Sequence, residues 1–311
     1  MKYIKLFPTE AEYLAAKNTL DTPNVCYAED TGNIFYGQDA SKLVIMTSET
    51  NPSVLAICYA QGWCASSDKM TLAEARAVTS IGTAFNGSSI GEFTEFQYFT
   101  GITSIPNDAF DHSTVTKLYM PNTVTSLGNF RHVNNLTELK LSEEIIAIPI
   151  FFSIPCPLYI PKELRSIGIG GNINIFYSSI TISEENTYLE LLDGIVYTKD
   201  SVPTIQAQMY NSASISVKDG VTAIPSYFLE DNNVVTTLTL PSSITTIGMR
   251  FGRSARNLNN IICNATTPPT LDTSYLLQNV TLQSIKVPSG SVDAYKAASG
   301  WSNFVDIITA I

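Results

Sequence analysis

A short pattern of apolar and small polar residues recurs along most of the chain. Its first copy reads Val78, Thr79, Ser80, Ile81, Gly82: apolar, Thr-like, small, apolar, then Gly or Pro. We call this pattern the tag. It returns at 102–106, 124–128, 145–149, 164–168, 221–225 and 244–248, so successive copies start 24, 22, 21, 19, 57 and 23 residues apart. Repeats at this spacing predict a solenoid, in which each coil packs only on its neighbours.

A second pattern, apolar-x-apolar, lies between the tags and predicts short strands with one buried face. It occupies 118–120, 139–141, 158–160, 180–182, 215–217, 238–240, 261–263 and 285–287. An aromatic residue precedes many of these strands, at Phe110, Phe130, Phe152, Phe228 and Phe251. Equivalent strands should pair in parallel about 4.8 Å apart, as one β-ladder. A β-propeller fits less well, because its blades need about 40 residues.

The array is interrupted once, between the tags at 164–168 and 221–225. Asp193 and Gly194 lie there between two apolar runs, and Asp-Gly is a typical two-residue hairpin turn. We therefore predict irregular chain at 168–174 and a β-hairpin insertion over about 187–209.

The first 48 residues lack the repeat and predict a small α+β domain. A strand at 2–7 should lead into a helix that begins with a capping box, Thr9 and Glu12, and ends near Leu20. Residues 25–27 and 34–36 should form a hairpin, followed by a third strand at 42–46.

Short helices are predicted to cap both ends of the repeat array, which spans 78–287. In the N-terminal cap, residues 49–77, Asn51 should cap a helix over 53–61, and Thr71 with Glu74 should form a second capping box. Trp63 and Met70 should cover the open end of the first coil. In the C-terminal cap, residues 288–311, Ser291 should begin a helix, and apolar cover should come from Trp301, Phe304, Val305 and Ile307.

Composition narrows the classes of partner. The chain of 311 residues is 44% hydrophobic and 15% charged, so it can bury a core. Its net charge of −10, without a Lys/Arg run, argues against nucleic acid and anionic membranes as partners. No stretch approaches the ~18 apolar residues of a membrane helix. Lys5 and Pro8 interrupt the first apolar run, so a chain that starts at Met1 is expected to lack an export signal.

No group of residues predicts catalysis, a cofactor or a metal site. His112 and His132 are the two histidines of the chain, and each follows a repeat aromatic by two residues, so they should stack in neighbouring coils. Asp111 is the one obvious further ligand, so we expect no metal there and no Ser-His-Asp triad. The acidic pairs at 143–144 and 184–185 should be solvated, and the glycines at 168–171 lack the Lys of a P-loop.

The five cysteines, at positions 26, 58, 64, 156 and 263, contain no C-x-x-C pair. They therefore indicate neither a zinc ribbon nor a disulfide framework. A bridge between Cys58 and Cys64 stays an alternative, because a short loop separates them.

The outward face of the predicted ladder is the candidate binding site. Alternation along each strand points the residues between the apolar positions away from the core. These outward residues are Lys117, Tyr119, Glu138, Lys140, Tyr159, Thr181, Ser216, Thr239, Ile262 and Lys286. Aromatic and polar side chains on a rigid sheet are typical of surfaces that recognise a protein or a glycan.

The array resembles the BspA-type leucine-rich repeats, whose unit joins a tag, I-G-x-x-A-F and L-x-x-V-x-L-P. Residues 105–110 and 238–241 fit that unit, 193–200 resembles the family's D-G-V-L-Y insertion, and 288–311 resembles the C-terminal end of Bacteroides-like members. His112 and His132 depart from the family's small or Cys position. The resemblance implies a mostly β, right-handed leucine-rich repeat solenoid with a parallel β-ladder.

Two functions follow as hypotheses. The resemblance implies a non-enzymatic adhesion module at the cell surface, which binds a protein or carbohydrate. The alternative is a structural component of a larger assembly, for example a prophage particle, attached through the domain at 1–48. The missing signal favours this alternative.

Overall fold

The computed structural model describes residues 4–7, 9–10, 12–13, 25–28, 33–36, 43–130, 132–149, 154–168, 179–208 and 212–311. The chain divides into two compact units, Met1–Ile145 and Ile146–Ile311. Each unit is built chiefly from short strands that recur at the repeat spacing, as the sequence predicts. The predicted irregular chain at 169–174 and the aromatic turn at Phe152 lie outside the described residues.

The first sheet of unit Met1–Ile145 has three strands: β1 (Ile4–Phe7), β2 (Val25–Ala28) and β3 (Asn33–Tyr36). β1 pairs with β2 in parallel, and β2 pairs with β3 antiparallel. The three strands are therefore confirmed, but most of the predicted helix to Leu20 and of the turn at 29–33 lies outside the described residues. At the start of that helix, the Glu12 amide donates to the Thr9 hydroxyl at 3.2 Å.

The next four elements are β4 (Val44–Thr47), α1 (Pro52–Ala60), β5 (Lys69–Thr71) and α2 (Leu72–Ala77). β4 is the predicted third strand, but it pairs antiparallel with β5. Among the described residues it has no pairing with the first sheet. The reason is that β5 supplies the partner edge from within the predicted cap. The domain division at residue 48 stays a prediction.

The two predicted helix starts of the cap differ in outcome. At α2 the capping box is confirmed, because the Glu74 amide donates to the Thr71 hydroxyl at 3.3 Å and the Thr71 amide donates to the Glu74 carboxylate at 2.7 Å. At α1 the predicted side-chain cap is wrong. Asn51 Nδ2 donates instead to the Glu92 carbonyl at 2.8 Å, and Pro52 starts the helix with no N–H to satisfy.

The repeat strands of the first unit form two parallel sheets. They are β6 (Glu92–Phe93), β7 (Ser104–Ile105), β8 (Lys117–Tyr119), β9 (Ser126–Leu127) and β10 (Glu138–Lys140). The sheet order β6-β8-β10 is the predicted ladder, and β7 pairs with β9 as a second ladder. A 3-10 helix, Thr94–Tyr98, follows β6. The second ladder consists of tag residues, so the tag forms strands as well as turns.

The repeat strands of the second unit follow the same plan around an insertion. They run β11 (Ala147–Ile148), β12 (Leu158–Ile160), β13 (Ser166–Ile167), β14 (Ile180–Ile182), β15 (Leu189–Leu192), β16 (Ile195–Thr198), β17 (Ile205–Gln208), β18 (Ser214–Ser216), β19 (Ala223–Ile224), β20 (Thr237–Leu240), β21 (Thr246–Ile247), β22 (Asn260–Cys263), β23 (Thr270–Leu271) and β24 (Ser284–Val287). β12 pairs with β14, and β18-β20-β22-β24 pair in parallel in that order. The tag strands pair as β11-β13 and β19-β21-β23.

The insertion lies within the predicted bounds but has one strand more than the predicted hairpin. β15, β16 and β17 form an antiparallel sheet of three strands, in that order. The turn between β15 and β16 is the predicted one, since Asp193 and Gly194 have φ of 49° and 79°, as a type I′ turn requires. β17 was missed because its partner edge, β16, is created only when the hairpin forms.

Stacked aromatic rings fill the core beside the predicted aromatic turns. The ring centroids of Phe85 and Phe110 lie 5.4 Å apart, and those of Phe110 and Phe130 lie 5.8 Å apart. In the second unit, Phe228 and Phe251 are stacked at 6.5 Å. The aromatic residues are therefore structural, and each extends the core from one coil to the next.

Left-handed backbone recurs in these aromatic turns. In the second unit, positive φ occurs at every second residue of three successive coils: Tyr227, Leu229, Asp231, Arg250, Gly252, Ser254, Tyr275, Leu277 and Asn279. A non-glycine residue in this conformation costs about 1–2 kcal/mol. Backbone bonds to the neighbouring coil offset this cost, as from the Tyr227 amide to the Met249 carbonyl at 2.9 Å. The neighbouring coil thus fixes the direction of each turn side chain.

The C-terminal cap contains a 3-10 turn (Ser289–Ser291), α3 (Val292–Ala297), a 3-10 helix (Trp301–Phe304) and β25 (Ile308–Ala310), which pairs with β24. Trp301 Nε1 donates to the Pro269 carbonyl at 2.8 Å. Two predictions are wrong here. The Ser291 hydroxyl donates to the Thr266 carbonyl at 2.7 Å rather than capping α3, and Val305 is 38% exposed. The other three predicted residues do provide apolar cover, because Trp301 is buried in the core and Phe304 and Ile307 pack against it, together with Ile308.

Within the described part of the chain, no helix combines the length and apolar character that crossing a bilayer requires.

Candidate binding surface

The outward face of the predicted ladder, which we call the ladder face, carries paired charges in the first unit. Strand register puts Glu92, Lys117 and Glu138 in one row across β6, β8 and β10, and Tyr119 beside Lys140 in the next. Lys117 Nζ lies 2.9 Å from the Glu92 carboxylate. Three strands therefore present a compact, mixed-charge patch with one tyrosine.

The tyrosine of this patch is held by its neighbour. The Tyr119 hydroxyl donates a short hydrogen bond to the Glu138 carboxylate. This bond is the main reason that the pKa of Tyr119 is raised. The hydrogen bond and charge of Glu92 likewise raise the pKa of Lys117. Both groups thus stay in their protonated forms, and the ring of Tyr119 is oriented before any partner arrives.

The ladder face of the second unit is dominated by hydroxyl and amide groups. Ser216, Thr239, Ile262 and Lys286 form one row in register across β18, β20, β22 and β24. A parallel row, which the sequence analysis missed, consists of Ser214, Thr237, Asn260 and Ser284. These residues precede the apolar-x-apolar pattern by one position, so extending the alternation by one step would have found them.

Tyr159 and Thr181 lie opposite each other on β12 and β14. Tyr159 is 42% exposed, which makes it the most accessible aromatic ring of the predicted set. All ten predicted side chains are exposed or half-buried, so their outward orientation is confirmed. Their role in binding stays a prediction.

The backbone under these side chains is held by hydrogen bonds between neighbouring strands, which lie on both sides of β8, β20, β22 and β24. Among the described residues, the ladder face carries no histidine or cysteine. Lys117 is paired with Glu92, and Glu138 accepts from the Tyr119 hydroxyl. This arrangement can present donors and acceptors to a partner at fixed positions.

The cysteines offer no reactive thiol in the described structure. Cys58, Cys64, Cys156 and Cys263 are free and buried, so the alternative of a Cys58–Cys64 bridge is wrong for this structure. Burial raises the pKa of Cys58 to about 12 and also raises that of Cys64. A buried thiol with a raised pKa is a poor nucleophile.

The two histidines lie away from the ladder face, in the aromatic turns. Their rings are stacked as predicted, with centroids 4.2 Å apart and an interplanar angle of 3°. His132 Nδ1 lies 2.9 Å from the Asp111 carboxylate, and His112 Nε2 lies 3.9 Å from it. The structure brings together the three residues that the sequence analysis singled out.

Comparison with solved structures finds similar but distant folds. The pneumococcal vaccine antigen PcpA is 16% identical over 68% of this chain and 70% of that chain, with a TM-score of 0.43. A leucine-rich cell surface protein from Faecalibacterium prausnitzii is 15% identical over 72% and 70%, with a TM-score of 0.44. A leucine-rich repeat protein from Eubacterium ventriosum is 17% identical over 60% and 64%, with a TM-score of 0.41. No curated protein matches the chain significantly.

The repeats themselves identify the family. Six copies of the BspA-type leucine-rich repeat region match residues 58–168 and 181–298. These two blocks cover well over half of the 311 residues and contain the tags, the aromatic turns and both ladders. The chain therefore belongs to the BspA-type leucine-rich repeat proteins.

Proposed function

We propose that the protein is a non-enzymatic adhesion module at a cell surface, and that its ladder face recognises a protein or a glycan. The observation that carries this proposal is the row structure of the ladder face. Within each unit, polar and aromatic side chains there stand outward at fixed spacing, above buried apolar residues.

The chemistry of the rows suits surface recognition. In the second unit the rows carry hydroxyl and amide groups that can both donate and accept hydrogen bonds, and the Ser284 hydroxyl donates to Asn260 Oδ1 at 2.8 Å. Sugars and exposed peptide groups bond through the same kinds of atoms. The exposed ring of Tyr159 adds contact area at low cost in conformational entropy, because a tyrosine has two side-chain torsions to restrict.

The charged residues on the ladder face of the first unit should contribute more to the selectivity of binding than to its affinity. Lys117 and Glu138 stand beside opposite charges, so a partner must match an alternating pattern rather than a net charge. Exposed ion pairs contribute little energy, but like charges placed opposite them are costly. We therefore expect a protein partner to bind here more selectively than a neutral glycan.

The experiment is binding to arrays of glycans and extracellular-matrix proteins, with a Tyr119→Ala/Tyr159→Ala variant. We expect the double variant to lose about tenfold or more in affinity for any partner that the wild type binds, as loss of interface tyrosines typically causes. Tyr59→Ala is the matched control, because Tyr59 is 50% exposed on α1 and lies off the ladder face.

Binding that is equal in the wild type and the double variant would exclude the ladder face as the site. The alternative function, a structural component attached through residues 1–48, makes a different prediction. It expects no array partner, and it expects co-purification with an assembled particle that a chain lacking residues 1–48 no longer joins.

A further inference from the structure

We propose that Asp111, His112 and His132 bind one divalent transition-metal ion, of the Zn²⁺, Ni²⁺ or Cu²⁺ type, and that this ion joins two successive coils of the first unit. This site is separate from the ladder face and from the proposed recognition function. It involves both histidines of the chain.

The three side chains come from equivalent turns of neighbouring coils. Asp111 and His112 follow Phe110, and His132 follows Phe130, whose ring stacks on that of Phe110. One ligand atom from each of the three residues lies within 4.8 Å of the other two. The buried phenylalanines thus set the separation of the two imidazoles from below.

The backbone conformation of the two turns fixes the position of the Cα–Cβ bond of each histidine. His112 and His132 have φ of 55° and 53°, so both project from left-handed positions of their turns. The turn of His112 is tied to the preceding coil, because the Gly87 amide donates to the Asp111 carbonyl at 2.7 Å. The two rings stack face to face, with centroids 4.2 Å apart and an interplanar angle of 3°. Their nitrogen lone pairs lie in parallel planes, so the rings must turn out of the stack to bind one ion together.

The ligand atoms lie close enough for one ion to bind them once the two imidazole rings have rotated. Tetrahedral zinc with ligands at 2.0–2.2 Å needs ligand atoms about 3.3–3.6 Å apart. The Asp111 carboxylate already lies 2.9 Å from His132 Nδ1 and 3.9 Å from His112 Nε2. The side chains of His112 and His132 are 64% and 54% exposed, so their torsions can turn without disturbing the core.

The ligand set selects the class of metal. Two imidazoles and one carboxylate favour Zn²⁺, Ni²⁺ and Cu²⁺, whereas Mg²⁺ and Ca²⁺ prefer oxygen ligands alone. The sequence predicts no metal here, because Asp111 is the one obvious further ligand beside the two histidines. Three protein ligands are sufficient for a site whose fourth position is water, as in catalytic zinc centres. The two imidazoles each supply one nitrogen ligand, and the Asp111 carboxylate supplies an oxygen ligand. Asp111, at 16% side-chain exposure, is the least exposed of the three.

The test is titration of the untagged full chain with Zn²⁺ by calorimetry, together with Cu²⁺ electron paramagnetic resonance. We expect one ion per chain with a Kd on the order of micromolar. We also expect nitrogen coupling from two imidazoles. Because the ion joins two coils of the folded state and not of the unfolded chain, Zn²⁺ should raise the Tm by a few degrees, about 2–5 °C.

The variants keep the left-handed turns. His112→Asn and His132→Asn each remove one imidazole, and asparagine tolerates positive φ better than alanine does. Each variant should weaken Zn²⁺ binding by about tenfold or more and abolish the Tm shift. Asp108→Asn is the matched control, because Asp108 is a carboxylate in the same turn with φ of 60°, outside the cluster. Its Zn²⁺ affinity should equal that of the wild type.

Three results would overturn the proposal. The first is no Zn²⁺ binding up to about 1 mM, which corresponds to less than about 4 kcal/mol. The second is binding that survives in a His112→Asn/His132→Asn double variant. The third is coupling to a single nitrogen, which would mean that one exposed histidine captures the ion without joining the coils.

Discussion

Asn186 is a buried polar residue that connects the insertion to the preceding coil, and its removal tests how much this connection stabilises the second unit. It stands four residues after β14, where the preceding coil has the apolar Leu164 four residues after β12, so an asparagine replaces the first residue of a tag. It is 2% exposed. Its Nδ2 donates to the carbonyls of Pro161 and Leu164 at 2.7 and 2.9 Å.

The other end of the same amide begins the insertion. Asn186 Oδ1 accepts hydrogen bonds from the amides of Tyr188 and Leu189 at 2.9 and 2.8 Å. One buried side chain thus joins the preceding coil to the first strand of the inserted sheet. Asn186→Ala removes four hydrogen bonds at about 1 kcal/mol each, so we expect a loss of about 4 kcal/mol in the free energy of unfolding.

Asn232 provides a matched control in the same unit. It is 0% exposed, and its Oδ1 accepts from the amides of Val234 and Val235, both at 2.9 Å. Its Nδ2 has no hydrogen-bond partner among the described residues. Asn232→Ala should therefore cost about 2 kcal/mol, which leaves a difference of about 2 kcal/mol for the two carbonyl bonds that Asn186 alone makes.

The assay is urea unfolding of both variants, followed by amide hydrogen exchange, because repeat arrays can unfold in parts. We expect the amides of Tyr188 and Leu189 to lose protection in Asn186→Ala, together with those of the inserted sheet. Equal losses of stability in the two variants, or a larger loss in Asn232→Ala, would refute the assignment of the carbonyl bonds as stabilising.

Three further predictions concern buried groups in the two units. Glu230→Gln should lower the free energy of unfolding in urea by about 3 kcal/mol. The Glu230 carboxylate is 5% exposed and lies 2.8 and 2.7 Å from Arg250 and Arg253, which would lose their counter-charge. An unchanged urea midpoint would contradict this. Phe110→Ala should cost about 3–5 kcal/mol, measured in the same way, because the side chain is 1% exposed within the aromatic stack. Burial raises the pKa of Tyr197 to about 12 from 10.0. The free energy of unfolding of the wild type should therefore fall by about 2–3 kcal/mol between pH 10 and 12, because the unfolded chain releases the tyrosine proton first. Tyr197→Phe should not show this loss when unfolding is followed by circular dichroism. Parallel curves for the two proteins would refute it.

Much of the array could be predicted because solenoid contacts are local in sequence. The apolar pair of β20, Leu238 and Leu240, meets Ile261 and Cys263 one coil later, and each pair is recognisable without knowing the other. The capping box of Thr71 and Glu74 was predictable for the same reason, since both partners lie within one helical turn.

The predicted helix caps at Asn51 and Ser291 are wrong because the hydrogen-bond partners of both side chains are distant in sequence. Both residue types favour helix N-termini, yet each side chain bonds to a carbonyl in another element, Glu92 and Thr266 respectively. A local propensity of about 1 kcal/mol does not decide between two partners of similar strength. Proximity in the folded chain does.

Some features of the candidate binding surface could be predicted from the sequence, and others depend on contacts between coils. The outward direction of Tyr159 or Lys286 follows from strand alternation, so the sequence determined the face. The bond from Tyr119 to Glu138 and the row of Ser214, Thr237, Asn260 and Ser284 depend on the register between coils. Register aligns side chains about 20 residues apart, and small differences in coil length change which residues meet.

By itself, the sequence determined the family, the coil period and the parallel ladder. These follow from which positions are apolar, because burial of those positions is the main force that stacks one coil on the next. The tertiary structure alone decided that tags pair as a second ladder, that the insertion has a third strand, and that Asp111 meets His112 and His132 within 4.8 Å. Each of these depends on hydrogen bonds or distances between segments that are separate in sequence, and these exist only after the segments have packed.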